Sequence, residues 1–282
     1  MRRITLLTNP DVCNLHCLLC FRRQQAHSSR FGSMPIETAK AAIEKYASES
    51  DASGKRILQE VIPSTMGEPL LYSKFEELLD FCETTGVKLN LTTNGTFPGK
   101  WGTPPGMEKL LVACSDIKIS TLSYEMGGFS LSKWRENVEQ LLDYHQRQKN
   151  SGAKELSTVS LQVTLHRENL DQLEPILHWA ESIGIHRIKW NPVVILDSMP
   201  QEIRTLFELD NDTLSRLRQE FQSGVLHSKQ IKNEGSLFLE NATGDCPMAS
   251  DCSKCPFKDE VWIWPDGHED HCPNPRRRWN IK

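Results

Sequence analysis

Residues 4–20 read ITLLTNPDVCNLHCLLC. The stretch begins with Ile4–Thr8, an apolar run with the length and composition of a β-strand. Directly after this run, the cysteines have the spacing Cys13-x3-Cys17-x2-Cys20. Three thiolates on one tight loop can hold three irons of a 4Fe–4S cube and leave the fourth iron without a protein ligand. Because an open metal position is typical of a catalytic site, the stretch predicts a reactive metal centre at a strand end.

A zinc loop is the alternative interpretation of this spacing. Zinc usually takes a fourth protein ligand, which His16 or His27 would supply. The chain has nine cysteines, and seven of them lie in two clusters, at 13–20 and at 246–272. Clusters of this kind indicate metal ligation more than disulfides in a chain whose thiols stay reduced.

Strand-like and helix-like segments alternate outward from this loop as far as residue 195. The predicted strands are Ile4–Thr8, Ile57–Ile62, Val87–Leu91, Ile117–Thr121, Val159–Thr164 and Ile188–Val194. The predicted helices are Pro35–Ser48, Ser73–Thr84, Met107–Ala113, Leu131–Arg147 and Leu170–Ile183. Ser73 and Glu76 have the spacing of a capping box at the start of the second helix. Serial β/α units predict a parallel sheet with right-handed crossovers. About 190 residues is short for an eight-unit barrel of ~250, so the fold class is α/β, a partial (β/α)6 TIM-like barrel.

The composition bounds the partners and the compartment. Lysine and arginine total 33 against 37 aspartates and glutamates, a net charge of −4. This balance gives no electrostatic argument for a nucleic-acid or membrane partner. No apolar run approaches the ~20 residues of a membrane helix, and the apolar start is too short for a signal peptide. We therefore expect a cytoplasmic protein with neither a nucleic-acid nor a membrane partner.

The chain divides into three predicted parts. Residues 1–200 form the barrel, and residues 201–245 form a helical segment, Glu202–Gln222, followed by a polar linker, Ser223–Glu234. Residues 246–282 are rich in Cys, Pro and Trp. So short a piece cannot hold a core alone, which predicts a small module held together by metal.

The last part contains a second set of cysteines, Cys246, Cys252, Cys255 and Cys272. Pro265-Asp266-Gly267 lies between extended segments and predicts a hairpin that brings Cys272 back toward Cys255. The spacing suits an iron–sulfur cluster, with a structural zinc site as the alternative. Cys82 and Cys114 stand alone and are expected to be buried thiols.

Several motifs, in chain order, resemble those of the radical S-adenosylmethionine (radical SAM) superfamily. They are the Cys13–Cys20 loop, Met66-Gly67-Glu68-Pro69-Leu70-Leu71 after strand two, Leu91-Thr92-Thr93-Asn94-Gly95 at the end of strand three, and Ile117-Lys118-Ile119-Ser120 on strand four. The chain departs from the family at Leu19, where an aromatic residue is usual, and at Met66, where many members have a further glycine.

This resemblance implies a reaction and a set of cofactor contacts. A reduced cluster on Cys13, Cys17 and Cys20 cleaves S-adenosylmethionine to methionine and a 5′-deoxyadenosyl radical, which abstracts hydrogen from the substrate. Glu68 is implied as the acceptor for the cofactor's amino group. The implied contacts with S-adenosylmethionine are Leu19, Gly67, Glu68, Pro69, Asn94, Ser120 and Arg135. Arg135 could equally have a surface role, and no general base can be assigned.

The second cysteine set resembles the auxiliary-cluster extensions known as twitch and SPASM domains. This implies two 4Fe–4S clusters, one binding S-adenosylmethionine and one auxiliary. If Cys246 is a ligand, the auxiliary cluster is closed and carries electrons. If it is not, the substrate can bind an open iron.

The leading functional hypothesis is a radical SAM oxidoreductase that dehydrogenates a small molecule and passes an electron to the auxiliary cluster. An external low-potential donor such as flavodoxin or ferredoxin would supply the reducing electron. The alternatives are oxidation or crosslinking of a short precursor peptide, and cyclisation or rearrangement of a nucleotide. A non-enzymatic Fe–S or zinc protein is the alternative from a different class.

Overall fold

The computed structural model describes residues 2–20, 31–64, 66–121, 128–228, 230–238 and 260–271. Within these ranges the strands are β1 Arg2–Leu6, β2 Leu58–Pro63, β3 Lys88–Thr93, β4 Cys114–Thr121, β5 Thr158–Leu165, β6 Arg187–Pro192, β7 Lys232–Glu234, β8 Glu260–Ile263 and β9 Glu269–Asp270. The helices are α1 Ile36–Ala47, α2 Phe75–Thr85, α3 Pro104–Ala113, α4 Leu131–Asn150, α5 Leu173–Ser182, α6 Gln201–Phe207 and α7 Asn211–Ser223.

These strands form one sheet in the order β7-β6-β5-β4-β3-β2-β1-β8-β9. All neighbours are parallel except β8 and β9, which are antiparallel. The sheet does not close on itself. The α/β partial barrel predicted from the β/α alternation is therefore confirmed.

The two faces of the sheet differ in polarity because alternate residues of a strand point to opposite sides. On β4, Ile117 and Ile119 are fully buried in the large apolar core that includes the helices. Asp116, Lys118 and Ser120 occupy the alternate positions and point to the inner face. The outer face therefore supplies the hydrophobic stability, and the inner face is free to carry polar chemistry.

Two helical predictions are wrong in detail. The second helix begins at Phe75 after Lys74, and no side chain caps its first turn, so the expected capping box is absent. Glu76 instead pairs with Lys109 at 3.1 Å and also with Lys100. The predicted helix over 202–222 is two helices, because Asp210 caps the backbone N–H of Thr213 and starts α7 there.

The linker predicted over 223–234 contains strand β7, which pairs with β6 at the sheet edge. The predicted hairpin is confirmed: Pro265–Gly267 connects β8 to β9, and the Gly267 N–H donates to the Trp264 carbonyl at 2.9 Å. Strand β8 also pairs with β1, so these residues extend the barrel sheet. The three-part division of the chain stays a prediction. Among the described residues, no helix is long and apolar enough to cross a membrane.

Candidate functional site

The cysteine loop follows β1 at the carboxyl edge of the sheet. Cys13, Cys17 and Cys20 are all partly buried, and the Cys20 N–H donates to the Cys17 carbonyl at 3.2 Å. Burial raises the pKa of Cys13, while hydrogen bonds from the Leu15 N–H and from Asn94 oppose this rise. Three thiols on one loop are the donor set that a 4Fe–4S cluster requires.

The three sulfurs do not yet converge. In the described ranges, no three His, Cys, Asp or Glu side chains are gathered closely enough to hold a metal ion. The Cys13 pKa is nevertheless affected by Cys20, so these two thiols lie near each other. Cluster binding would therefore require the loop to draw its sulfurs together.

Gly67 anchors the cysteine loop to the turn that follows β2. Its φ is +74°, and a Cβ there would lie 2.3 Å from the Asn9 carbonyl oxygen and 2.7 Å from that of Val12. The next residue fastens the same contact, since the Glu68 N–H donates to Val12 O at 2.8 Å and Asn9 Nδ2 donates to Glu68 O at 2.7 Å. Only glycine permits this approach.

Glu68 is fully buried below this contact. Its carboxylate accepts hydrogen bonds from Thr93 Oγ1 at 2.7 Å, the Asn94 N–H at 2.7 Å and the Leu70 N–H at 3.2 Å. Burial raises the pKa of Glu68 to about 7, and the three donors oppose the rise because they favour the carboxylate. The carboxylate thus joins the end of β2 to the end of β3. Its implied role as acceptor for the cofactor's amino group stays a prediction.

Asn94 links this carboxylate to the cysteine loop. Its Nδ2 lies 3.7 Å from Cys13 Sγ and donates to Asn14 Oδ1 at 3.0 Å. Its Oδ1 accepts from the Thr96 hydroxyl at 2.7 Å, and Asn14 Nδ2 in turn donates to that hydroxyl at 2.9 Å. Sequence reasoning missed the roles of Asn9, Asn14 and Thr96. The signal that could have found them is their position, since Asn9 and Thr96 each lie three residues beyond a strand end and Asn14 directly follows Cys13.

Helix α4 supports the Asn94 turn from the outside. Trp134 Nε1 donates to Asn94 O at 3.1 Å, and Asn137 Nδ2 donates to Gly95 O at 3.0 Å. Gly95 has a φ of +78°, and a Cβ there would lie 2.4 Å from Trp134 Nε1. A buried tryptophan therefore holds the backbone of the residue that contacts Cys13.

The remaining implied cofactor contacts fall in different places. Pro69 is buried in a 3₁₀ turn directly after Glu68, and Ser120 is half-buried near the end of β4. Leu19 packs against an apolar cluster that follows β6 and includes Val193, Ile195 and Phe207. The contact of these residues with S-adenosylmethionine stays a prediction.

Arg135 lies away from these residues. Its side chain is exposed, and the guanidinium carbon lies 5.3 Å from the ring centroid of Trp179 on α5. This contact favours the surface role that the sequence left open.

Cys246, Cys252, Cys255 and Cys272 lie outside the described residues, so the auxiliary cluster stays a prediction. Cys82 and Cys114 are buried as expected, and burial raises the pKa of Cys82 to about 12. Neither thiol is suited to ligation in its present surroundings.

Comparison with known proteins places the fold. No family model matches the chain. An uncharacterised protein of Methanocaldococcus jannaschii is 23% identical over 184 residues, which are 62% of this chain and 54% of that protein. The chain therefore spans about half the length of this curated relative.

Solved structures resemble the chain over almost its whole length. SuiB of Streptococcus suis bound to its precursor peptide SuiA has a TM-score of 0.63 at 14% identity, covering 96% of this chain and 59% of SuiB. SuiB bound to S-adenosylmethionine has a TM-score of 0.65 at 14% identity, covering 96% of this chain and 60% of SuiB. The protein anSMEcpe with bound AdoMet has a TM-score of 0.65 at 14% identity, covering 95% of this chain and 74% of that protein. The chain shares the partial TIM-barrel fold of these solved structures, with a sheet that is not closed.

Proposed function

We propose that this chain is a radical SAM enzyme. One observation carries the proposal: a continuous set of hydrogen bonds joins the ends of three adjacent strands around the cysteine loop. It runs from Cys13 through Asn94 to Glu68, and Glu68 closes back on the loop at Val12. A zinc loop would not need a buried carboxylate and a strand-end asparagine to be tied to one of its thiols.

Each residue of this set has a defined task. Cys13, Cys17 and Cys20 would hold a 4Fe–4S cluster, and Asn94 orients the Cys13 sulfur. Glu68 fixes the turns that surround the loop. When bound, the cluster and S-adenosylmethionine supply one-electron cleavage of a carbon–sulfur bond and a radical that takes hydrogen from the substrate.

Apolar packing around the loop would exclude water from a reactive radical. Leu19, on the cysteine loop, packs against the segment after β6 through Val193 and Ile195. This contact closes one side of the carboxyl edge of the barrel with aliphatic side chains. A dry wall of this kind prevents side reactions of a radical with solvent.

A peptide is the substrate class that we favour. Among the structural neighbours, SuiB is bound to the precursor peptide SuiA, and anSMEcpe is bound to AdoMet and a peptide. A small molecule, which the sequence favours, is the second candidate. Under either reading the reaction is an oxidation in which Cys252, Cys255 and Cys272, with or without Cys246, hold an auxiliary cluster that accepts an electron. An external flavodoxin or ferredoxin would reduce the first cluster.

The first test counts clusters in the anaerobically reconstituted chain by iron and sulfide content and by EPR. About eight irons are expected, falling to about four when Cys13, Cys17 and Cys20 are all replaced by alanine. About four irons with bound zinc would leave the tail as a structural zinc site. The oxidation would then have no internal electron acceptor.

The second test measures cleavage of S-adenosylmethionine by the reduced protein. Cys17→Ala should abolish cleavage, while Cys82→Ala, a buried cysteine outside the loop, should retain it. Cys255→Ala should spare cleavage and lose product. Wild-type protein with a full complement of cluster that cleaves no S-adenosylmethionine would refute the proposal.

Product mass separates the substrate candidates. Loss of two hydrogens together with a crosslink would indicate peptide maturation. The same loss in a small molecule without a new ring would indicate dehydrogenation.

A further inference from the structure

The inner face of the barrel sheet carries a band of charged side chains. The strand register places alternate residues on this face, and the charged ones are Arg3, Glu60, Lys88, Asp116, Lys118, Arg187, Lys189, Lys232, Glu234, Glu260 and Asp270. The function proposed above uses none of them. Their pairing decides which of them remain available to a ligand.

Arg187 forms ion pairs with two of the acidic side chains. Its Nη2 lies 2.5 Å from Asp116 Oδ2, and its Nη1 lies 3.5 Å from Glu234 Oε2. Asp116, which is only 4% exposed, also accepts from Ser160 Oγ at 2.7 Å. The Arg187–Asp116 pair is therefore a largely buried ion pair with additional hydrogen bonding.

Arg3 forms ion pairs with Glu60 and Glu260. Its Nε lies 3.6 Å from Glu60 Oε2, and its Nη1 lies 3.9 Å from Glu260 Oε1. Glu60 also accepts from Asn90 Nδ2 at 3.1 Å. The two arginines thus engage Glu60, Asp116, Glu234 and Glu260, and Lys232 also pairs with Glu234.

Lys118 and Lys189 are left without a partner. Within the described residues, neither ammonium group has a hydrogen bond or an ion pair, although Lys118 is only 7% exposed. Burial and the charge of Lys189 lower the pKa of Lys118 to about 8, and burial and the charge of Arg187 lower the pKa of Lys189. An unpaired ammonium in partly desolvated surroundings costs free energy that a counter-ion would recover.

The two lysines lie on either side of β5. Lys118 is in register with Ser160 and Lys189 with Gln162, so two strand spacings of about 4.8 Å and an offset of two residues, about 6.6 Å, put their backbones roughly 12 Å apart. Lys189 is also the charged group with the largest effect on the Lys118 pKa. Ser160 and Gln162 are the β5 residues that lie between the two lysines on this face. A carboxylate can bridge such a pair with one charge-assisted hydrogen bond of about 2.8 Å to each oxygen.

One neighbouring donor is also unsatisfied. Arg187 Nε is buried on the same face, and in the part of the chain that the structure describes it has no hydrogen-bond acceptor. Arg187 is the inward-pointing residue next to Lys189 on β6. The band therefore has more buried donors than its own carboxylates satisfy.

We propose that Lys118 and Lys189 form an oxyanion-binding site that takes the carboxylate of an acidic substrate. The inference rests on the proposed function, because Lys118 is the inward-pointing residue that precedes Ser120 on β4. An acid that enters at the carboxyl edge would place its carboxylate one layer below the predicted cofactor site. The carboxylate belongs either to an Asp or Glu side chain of a peptide or to a free small acid.

The test is isothermal titration of the anaerobically reconstituted full chain, without S-adenosylmethionine. The probes are succinate and the capped tripeptide Gly-Asp-Gly, with succinamide and capped Gly-Asn-Gly as neutral controls. We expect wild type to bind the carboxylates and not the amides. Lys118→Met and Lys189→Met should each weaken binding about 10- to 100-fold, because each loses one hydrogen bond between charged groups. Tighter binding of the tripeptide would assign the carboxylate to a peptide, and tighter binding of succinate would assign it to a small acid.

Lys154→Met is the matched control, since Lys154 is an exposed lysine outside the band, and its affinity should equal that of wild type. Carboxylate affinity should also fall as pH rises through about 8, because the Lys118 ammonium loses its proton. Four charged groups face the Lys118 ammonium and influence the pH at which it loses its proton: Lys189, Asp116, Arg3 and Glu60. Should the methionine variants fail to fold, proton uptake on carboxylate binding to wild type at pH 8 decides the question.

Unchanged affinity in both methionine variants, equal binding of amides and acids, or no proton uptake would overturn the inference. Cleavage of S-adenosylmethionine, measured on the same preparations, reports separately on the proposed function. Carboxylate binding without cleavage would leave the lysine site standing and refute the radical SAM assignment. Cleavage without lysine-dependent binding would refute the lysine site and leave the radical SAM assignment standing.

Discussion

Replacing Gly67 by alanine should dislodge the cysteine loop while the rest of the barrel stays folded. The added Cβ would lie 2.3 Å from Asn9 O and 2.7 Å from Val12 O, and both are backbone atoms of the loop. Neither atom can move without moving the segment that leads into Cys13. The substitution therefore tests directly whether this turn positions the loop.

The expected loss in the free energy of unfolding has two parts, strain from the left-handed backbone and overpacking, and a second variant separates them. A left-handed backbone costs a non-glycine residue roughly 1–2 kcal/mol, and overpacking adds about 1–3 kcal/mol, so Gly67→Ala should lose about 2–5 kcal/mol. Gly184 is the control, because its φ is +82° and an added Cβ meets nothing within 4 Å. Gly184→Ala should therefore lose only the roughly 1–2 kcal/mol that the left-handed backbone costs.

Thermal unfolding and iron content together measure the effect. At roughly 2–4 °C per kcal/mol, the Tm of Gly67→Ala should fall several degrees further than that of Gly184→Ala. The reconstituted Gly67→Ala protein should also lose the iron of the first cluster, whereas Gly184→Ala should keep it. Equal Tm and equal iron content in the two variants would refute the idea that close packing on Gly67 holds the loop.

Three further predictions follow from the buried polar contacts. Asn94→Ala removes the amide beside Cys13 and should lower iron retention and cleavage of S-adenosylmethionine, measured by iron loss to a chelator and by deoxyadenosine yield. Glu68→Gln removes a carboxyl whose pKa is raised to about 7 in the folded chain. As pH rises from 4.5 to 7, the free energy of unfolding of wild type should therefore fall by about 3 kcal/mol relative to this variant, as measured by denaturant unfolding. Arg187→Met leaves Asp116 buried without its partner and should cost about 3–5 kcal/mol in the same assay.

Each of these predictions has a control and a contradicting result. Asn150→Ala, at the exposed end of α4, should retain iron as wild type does, and equal chelator loss in Asn94→Ala would remove that residue from the site. The sign for Glu68 follows from a raised pKa, since the folded chain holds a proton that the unfolded chain releases. A parallel pH dependence in wild type and Glu68→Gln would contradict it. Arg216→Met breaks an exposed pair and should cost under about 1 kcal/mol, so an equal loss in Arg187→Met would mean that burial adds nothing.

The strands and helices of the barrel could be predicted from the sequence because each depends on a local hydrophobic periodicity. The predicted strand over 159–164 and the observed β5, Thr158–Leu165, nearly coincide, since every second residue faces the apolar core. Prediction failed where tertiary contacts overrode local signals. Glu76 forms ion pairs with lysines on neighbouring segments instead of capping its own helix, and residues 232–234 became a strand because β6 offered an open edge.

The candidate donor groups can be read from the sequence alone: three cysteines on one loop, a Gly-Glu-Pro turn, and a Thr-Asn-Gly turn at successive strand ends. The tertiary structure sets how these motifs touch, because parallel strands bring distant residues to one edge of the sheet. It made Glu68 a buried connector with three donors and placed Asn94 beside Cys13. It also left Lys118 and Lys189 unpaired on the inner face, where the two arginines engage the acids. Spacing along the chain carries no information about such contacts, since they depend on which strands become neighbours and on how the sheet curves.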